Sequence, residues 1–481
     1  MRRGRETLLG VRLIRGDEES LAERSVVSGR ERIQGIAFVL LVTWLALAPF
    51  PYGAVLPKAT LILEVCGFVI AILALLTRPA THRFGAGAIP VVAIVGIALI
   101  GLVQLIPMPI DSLRAISPVS AQTYNDANGI LRLFGRPPAT PRISIAPTDT
   151  VSTILQSLAY CAILAASMIL VTTRFRRRVL MAALLASMVI HLVVSAVSDP
   201  TDRLHGTFVN PDHMAGYLEI GLAFAFGLVW TEVLTSSDRV KRIHDRGERF
   251  ERRFIPLAWR ILVWAVLGAG IVLTRSRGGL LAAMIATAIL LLMALLRFRS
   301  GSMERPQRIR ALTAVAFSLG ILVVIFTTGE AAILRFLASD PRDIGTDTRV
   351  EIWRGSVRAF QLFPNSGSGL GTFREAFRRV QTTEIVGLVE QAHNDFLQLL
   401  VTAGWAGGAL GAIAFGSMLI LLLGGWMRQE HREESAFILA GFGALLCLSL
   451  HGIVEFNMSI PAIPATLAAM VGSAWSATQT G

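Results

Sequence analysis

Apolar stretches close to twenty residues long recur along this 481-residue chain, in which 53% of residues are hydrophobic and only 16% charged. A helix rises about 1.5 Å per residue, so each stretch is long enough to cross a hydrocarbon core of roughly 30 Å. Spanning segments must satisfy their own backbone hydrogen bonds, and runs that are apolar without alternation do this as helices. The pattern predicts an all-α membrane protein of about twelve transmembrane helices, near 33–50, 59–76, 88–106, 151–173, 179–197, 214–234, 259–274, 279–296, 311–328, 404–424, 436–452 and 460–478.

Residues 1–32 are polar and Arg-rich and precede a full-length span, so they read as a cytoplasmic tail rather than a cleaved signal peptide. With that tail inside, the alternating short loops on its side carry most of the Lys and Arg. Both termini are then expected in the cytoplasm. The organisation that follows is a tail (1–32), nine spans with short loops (33–328), a long outer loop with a polar segment around His393 (329–403), and three final spans (404–481). The net charge of +12 mostly reports this topology. No basic face with interleaved aromatics points to nucleic acid, and no such partner is expected. Cys66, Cys161 and Cys447 lie in predicted spans, too few and too scattered for a disulfide framework or a thiolate zinc site.

Sorted by side, the informative polar clusters fall outside: Arg203–His213, Thr274–Gly279, the 329–392 loop leading to His393, and His451–Asn457. The inner clusters, Arg174–Arg178 and the mixed run from Ser236 to Arg253, read as solvated anchors facing lipid headgroups. Glu64, His191 and Glu219 are ionisable groups within spans, which makes them functional candidates, although three scattered groups make a thin ion pathway. In the long outer loop, Thr348-Arg-Val-Glu351 has capping-box spacing. It predicts a helix over 349–362 with an apolar stripe of Val350, Trp353, Val357 and Phe360, and a second amphipathic stretch over 373–380.

Guanidinium groups are permanent cations whose fork matches phosphate oxygens, so Arg275 and Arg277 at a tight outer turn, with Arg349 and Arg354 in the loop, are candidates to clamp a phosphorylated lipid headgroup. His393 is expected to open a helix, where the positive end of the dipole favours a neutral ring able to act as a base. Asn394, Asn210 and His213 are candidate substrate contacts beside these groups. The glycine-rich turn at 367–371 offers backbone N–H groups to an anion but lacks the Lys-Ser/Thr of a P-loop. Asp340, Asp343 and Asp347 form an acidic cluster, yet Arg342 and Arg349 among them oppose a divalent cation, and no metal is expected.

Gly-Thr-Phe-x-Asn-Pro near 206, Ser-Arg-Gly-Gly at 276–279, and His393-Asn394 followed after nine residues by Gly404-x-x-Gly407, in this order and on one side, resemble the bacterial O-antigen ligase and O-antigen polymerase superfamily of inner-membrane glycosyltransferases. Gly408 departs from the Thr, Leu or Val that usually follows in the ligases. The resemblance implies a GT-C-like helical fold with a long, partly helical periplasmic loop. It implies a glycan donor carried on undecaprenyl diphosphate, metal-independent and inverting transfer on the periplasmic side, and no cofactor. Arg277 and Arg349 would bind the diphosphate, and His393 would be the base or would orient the acceptor. The acceptor is lipid A-core for a ligase or a growing polysaccharide for a polymerase, with the ligase slightly favoured and protein glycosylation a third reading. A transporter of the same lipid-linked sugar would need mid-membrane ionisable groups and gates on both faces, neither of which the sequence develops.

Overall fold

The computed structural model describes residues 29–79, 84–198, 203–240, 246–299 and 344–480. Among them the chain forms helices and no strand: α1 (29–47), α2 (Pro57–Leu76), α3 (Ala88–Gln104), α4 (Ile110–Ile116), α5 (Pro118–Leu133), α6 (Pro147–Leu170), α7 (Arg174–Ser198), α8 (Pro211–Val240), α9 (Arg246–Leu273), α10 (Arg277–Arg299), α11 (Ile344–Leu362), α12 (Phe373–Arg378), α13 (Asp395–Arg428), α14 (Arg432–His451) and α15 (Ala462–Thr478). Nine of these are long and apolar enough to cross a membrane among the described residues. α1 and the 17-residue α15 coincide with two further expected spans. The expected span at 311–328, and Asp340 and Asp343 of the acidic cluster, lie outside the described residues.

Burial identifies the centre. In the spanning windows of α8 and α14, 89% and 83% of residues are buried, against 22% for α13, so α8 and α14 form the middle of the bundle and α13 lies at its margin. α8 packs between α9 and α14, and α15 between α14 and α6. At one end α7 and α14 are tied by Arg174 Nε to Glu434 Oε1 (2.5 Å) and Arg178 Nε to Glu433 Oε1 (2.6 Å). Arg177 is 1% exposed, 3.8 Å from Glu434 and set over the Phe437 ring. The Arg174–Arg178 run therefore clamps the two helices while Arg174 and Arg178 stay exposed, and only Arg177 departs from the expected solvated charge. His191, the second intramembrane candidate, is a satisfied core residue, with Nδ1 on Ser187 O (2.7 Å), Nε2 on Thr207 Oγ1 (3.0 Å) and its ring against Phe50.

At the opposite end lies a folded cap. Its core joins Ile352, Ala359 and Phe363 of α11 to Phe373 and Phe377 of α12, with Val119 and Ile145 from the earlier loop between α3 and α6 packed against them. α11 starts at Ile344, a turn before the Thr348–Glu351 box, so that box does not begin it. Its buried face is Ile352, Ser356, Ala359 and Phe363, whereas Val350 and Val357 of the expected stripe are 40% and 43% exposed. The Phe377 ring crosses α11 at Gly355, where any side chain would collide with it, and this contact turns the helix away from its most apolar register.

The cap is pinned to the membrane helices at one place. α13 is broken at Gly404, whose φ of 65° and ψ of −166° suit glycine alone and whose Cβ, if present, would meet the carbonyls of Pro364 and Asn365. The break leaves carbonyls at Val401 and Thr402 without helical partners. They accept from Ser368 N (3.0 Å) and Gly369 N (3.1 Å) of the glycine-rich turn, while Trp405 N donates to Pro364 O (2.9 Å). Gln104, buried at the end of α3, completes the joint. Its Nε2 donates to Ser366 O (2.8 Å) and Thr402 O (2.9 Å), and its Oε1 accepts from Leu370 N (2.9 Å). The N–H groups of Ser368, Gly369 and Leu370 are thus committed to this joint, which argues against the turn as an anion cradle.

Candidate active site

The central helices α8 and α14 end beneath the cap, and their ends carry the charged residues. Asn210 Oδ1 accepts from Asp212 N (2.9 Å) at the start of α8, which sets Asp212 and His213 on its first turn. After α14, the turn 452–457 brings up Glu455, Phe456 and Asn457. Arg349 of α11 comes down from the cap, and its Nη2 donates to Asp212 Oδ2 (3.3 Å) and to Glu455 Oε1. Arg203, ahead of α8, donates from Nη2 to Asp212 Oδ1 (3.0 Å) and from Nε to Thr274 O (2.8 Å). Asp212 also takes a hydrogen bond from the Ser276 side chain.

His393 meets the same carboxylate as Arg349: its Nδ1 lies 3.2 Å from Glu455 Oε2. An ionised carboxylate only accepts, so this pairing places the ring proton on Nδ1 and leaves the Nε2 lone pair for another partner. His393 does not open the helix as expected. It precedes the N-cap, Asn394, and adopts a φ of 47°, in the left-handed region unusual for a non-glycine residue. Trp353 Nε1 donates to the His393 carbonyl (3.0 Å), holding this conformation from the cap side. The Phe456 ring stands edge-on between two imidazoles, 4.5 Å from His213 and 4.9 Å from His393. His213 Nδ1 is 3.2 Å from Asn457 Oδ1.

Of the residues singled out from the sequence, His393, Arg349 and His213 converge on the Glu455–Asn457 turn. Arg277 is the exposed first residue of α10, two positions after Arg275, whose carbonyl accepts from Arg203 Nη2 (3.3 Å) and whose φ is 54°. Gly278 beside it packs on His451 and Val454, so the 275–277 turn borders the same cluster. Asn394 acts through the backbone: Oδ1 caps Leu397 N (2.9 Å) and Nδ2 donates to Ile453 O (2.8 Å). Asn210 likewise serves the start of α8. Arg354 pairs with Glu351 on its own helix (2.5 Å) at 65% side-chain exposure, and no contact with the cluster is seen.

Sequence reasoning did not select Asp212, Glu455 or Arg203, although all three lie in the outer clusters it named. The missing signal was that a buried acid beside an outer arginine needs that arginine as its partner. Glu219, the third intramembrane candidate, pairs with His451 (2.9 Å), both fully buried behind Gly278 and Gly279.

In this arrangement Arg203 pairs with Asp212, and Arg349 with Asp212 and Glu455, with the Arg349, Arg203 and His393 side chains 31%, 36% and 27% exposed. Guanidinium groups at a partly open surface, bordered by the exposed Arg275 and Arg277, suit an anionic headgroup.

No curated protein matches the chain. Residues 261–412 match a family model described as O-Antigen ligase, a stretch that runs from α9 through the Gly404 break and contains Arg275, Arg277, Arg349 and His393. This match lies inside an all-helical bundle of many spans and makes residues 261–412 similar to the O-antigen ligase family.

Proposed function

We propose that the protein transfers a glycan from undecaprenyl diphosphate to an acceptor hydroxyl at the periplasmic face of the bacterial inner membrane, in the manner of an O-antigen ligase. The observation that carries this reading is that one buried carboxylate, Glu455, holds both the candidate base His393 and the candidate phosphate ligand Arg349. An acceptor oxygen attacks the anomeric carbon as its proton passes to His393 Nε2. The bond from that carbon to the diphosphate oxygen breaks, and its electron pair leaves on the diphosphate. Glu455 stabilises the imidazolium that forms, as a carboxylate does behind a catalytic histidine. Arg349, Arg277 and Arg275 offset the charge that grows on the leaving group. Displacement from the opposite face inverts the sugar carbon. The residues supply acid–base and electrostatic functions without calling on a metal.

The ligase reading rests on the His393-Asn394-x9-Gly404-x-x-Gly407 element. A polymerase would use the same donor groups with a sugar hydroxyl of a second repeat unit as acceptor. Purified protein in nanodiscs, given a defined undecaprenyl-diphosphate glycan and either lipid A-core or a second lipid-linked repeat unit, separates the two. Glycosylated lipid A-core supports the ligase and lengthened glycan supports the polymerase. Unaltered donor with both acceptors, or movement of unaltered donor across a vesicle membrane, refutes transfer.

A further inference from the structure

Glu219 on α8 and the last residue of α14, His451, form an ionisable pair inside the bundle. Both side chains are fully buried, and His451 Nδ1 lies 2.9 Å from Glu219 Oε1. Taking two such groups out of water costs more than their attraction returns unless hydrogen bonds satisfy the atoms that remain. Glu219 Oε2 and His451 Nε2 have no hydrogen-bond partner among the described residues. The pair is therefore a poor stability device, and ionisable groups at membrane depth that do not stabilise the fold point to a task.

What the pair touches is the first turn of α10. A Cβ on Gly279 would lie 3.1 Å from both Glu219 Oε1 and His451 Cε1, and one on Gly278 would lie 3.3 Å from His451 Nε2. The two glycines thus bring the backbone of α10 directly onto both members of the pair. Each member also sits at the helix end that suits its charge, the carboxylate against the positive N-terminus of α10 and the imidazole in the last turn of α14. The same turn is held a second time. Ser276 Oγ accepts from Gly279 N (3.2 Å), and its hydroxyl hydrogen-bonds to Asp212. Asp212 and Glu219 stand about two turns apart along α8, so that helix grips the start of α10 at two heights.

We infer that Glu219 and His451 are positioning residues for the arginine turn. From inside the bundle they fix the first turn of α10, and with it the place where Arg275 and Arg277 present their guanidinium groups. The inference rests on the proposed function, in which those arginines meet the diphosphate, and adds the element that sets them in place before a substrate arrives. Both side chains are sealed from the surface, so neither touches substrate.

The double substitution Glu219→Met with His451→Leu separates positioning from stability. A buried ion pair replaced by apolar side chains of similar volume generally keeps or gains stability. Hydrogen exchange of the full-length protein in nanodiscs reads the turn without any turnover. Peptides covering 274–280 are expected to exchange at least about tenfold faster in the double variant, with those of α6 unchanged and the unfolding temperature no lower than wild type. Affinity for inorganic pyrophosphate is expected to fall at least about tenfold in the same protein. Exchange over 274–280 equal to wild type, or an unchanged pyrophosphate affinity despite faster exchange, overturns the inference. If the double variant does not accumulate in the membrane, Glu219→Gln is read in the same way, and failure of that protein to fold as well would make the pair a folding requirement and also sink the inference. Wild-type protein that transfers no glycan, while its ordered 274–280 turn loosens in the variant, would reject the reaction and leave the positioning standing. Intact transfer with an unaltered turn would do the reverse.

Discussion

Replacing Glu455 with glutamine keeps a hydrogen-bond acceptor for His393 Nδ1 but removes the charge behind it. The carboxylate is 1% exposed and its Oε2 lies 3.2 Å from the ring nitrogen. With an effective dielectric constant near 20 and charge centres about 4.5 Å apart, an imidazolium formed in the transition state gains roughly 3.7 kcal/mol from this carboxylate. The His393 side chain is 27% exposed, so solvent screening reduces the figure to about 2.5 kcal/mol. That corresponds to a fall in kcat of roughly 70-fold. The donor KM moves little or decreases, because Arg349 keeps its partner Asp212 at 3.3 Å while losing one of two competing carboxylates. Steady-state kinetics with varied donor, on protein shown by size-exclusion chromatography to be monodisperse, gives both parameters. A kcat within threefold of wild type, or a loss expressed wholly in KM, would refute the coupling of Glu455 to proton transfer.

Arg349→Lys retains the charge but loses the planar fork, of which one nitrogen, Nη2, meets both buried acids, and kcat is expected to fall at least about tenfold in the same assay; unchanged turnover would show that charge alone suffices. Gly404→Ala places a side chain against the carbonyls of Pro364 and Asn365 at a φ of 65°. It should cost about 1–3 kcal/mol, read as a lower unfolding temperature in detergent, and an unshifted melt contradicts the account of the break. Gln104→Leu strands Leu370 N and Ser366 O, while Thr402 O keeps its bond from Gly369 N, with an expected loss of about 1–3 kcal/mol and faster proteolysis within 364–372; equal protease resistance argues against the pin. Arg354→Cys, at 65% side-chain exposure, is expected to react with a membrane-impermeant maleimide added to intact spheroplasts. Labelling only after lysis would put the cap in the cytoplasm.

The spans were legible because a bilayer reads only length and hydropathy, and both are written locally. The cap was less so. Its buried face on α11 was displaced from the apolar stripe by the Phe377 ring crossing at Gly355, a contact between residues 22 apart that no periodicity encodes. The loop between α3 and α6 went unread as part of the cap, since Val119 and Ile145 are unremarkable in sequence and gain meaning only against Phe373 and its neighbours. In the candidate site, His393 and Arg349 stood out because a histidine or arginine at an outer interface is chemically conspicuous. Asp212 and Glu455 did not, because each acid becomes informative only once the fold places an arginine against it. His393 illustrates both: its position was visible, while its left-handed backbone depends on Trp353, 40 residues away, grasping its carbonyl.

The joint at Gly404 bears on how such proteins can be recombined. Residues 364–370, the end of α3 at Gln104 and the first turns of α13 satisfy one another's amide and carbonyl groups, so they form a single heritable module although more than 250 positions separate Gln104 from its partners. A chimera that swaps the outer loop between two relatives while keeping the host's α3 would leave amides and carbonyls stranded where water is scarce. Grafts should succeed only when the crossover points carry all three pieces together.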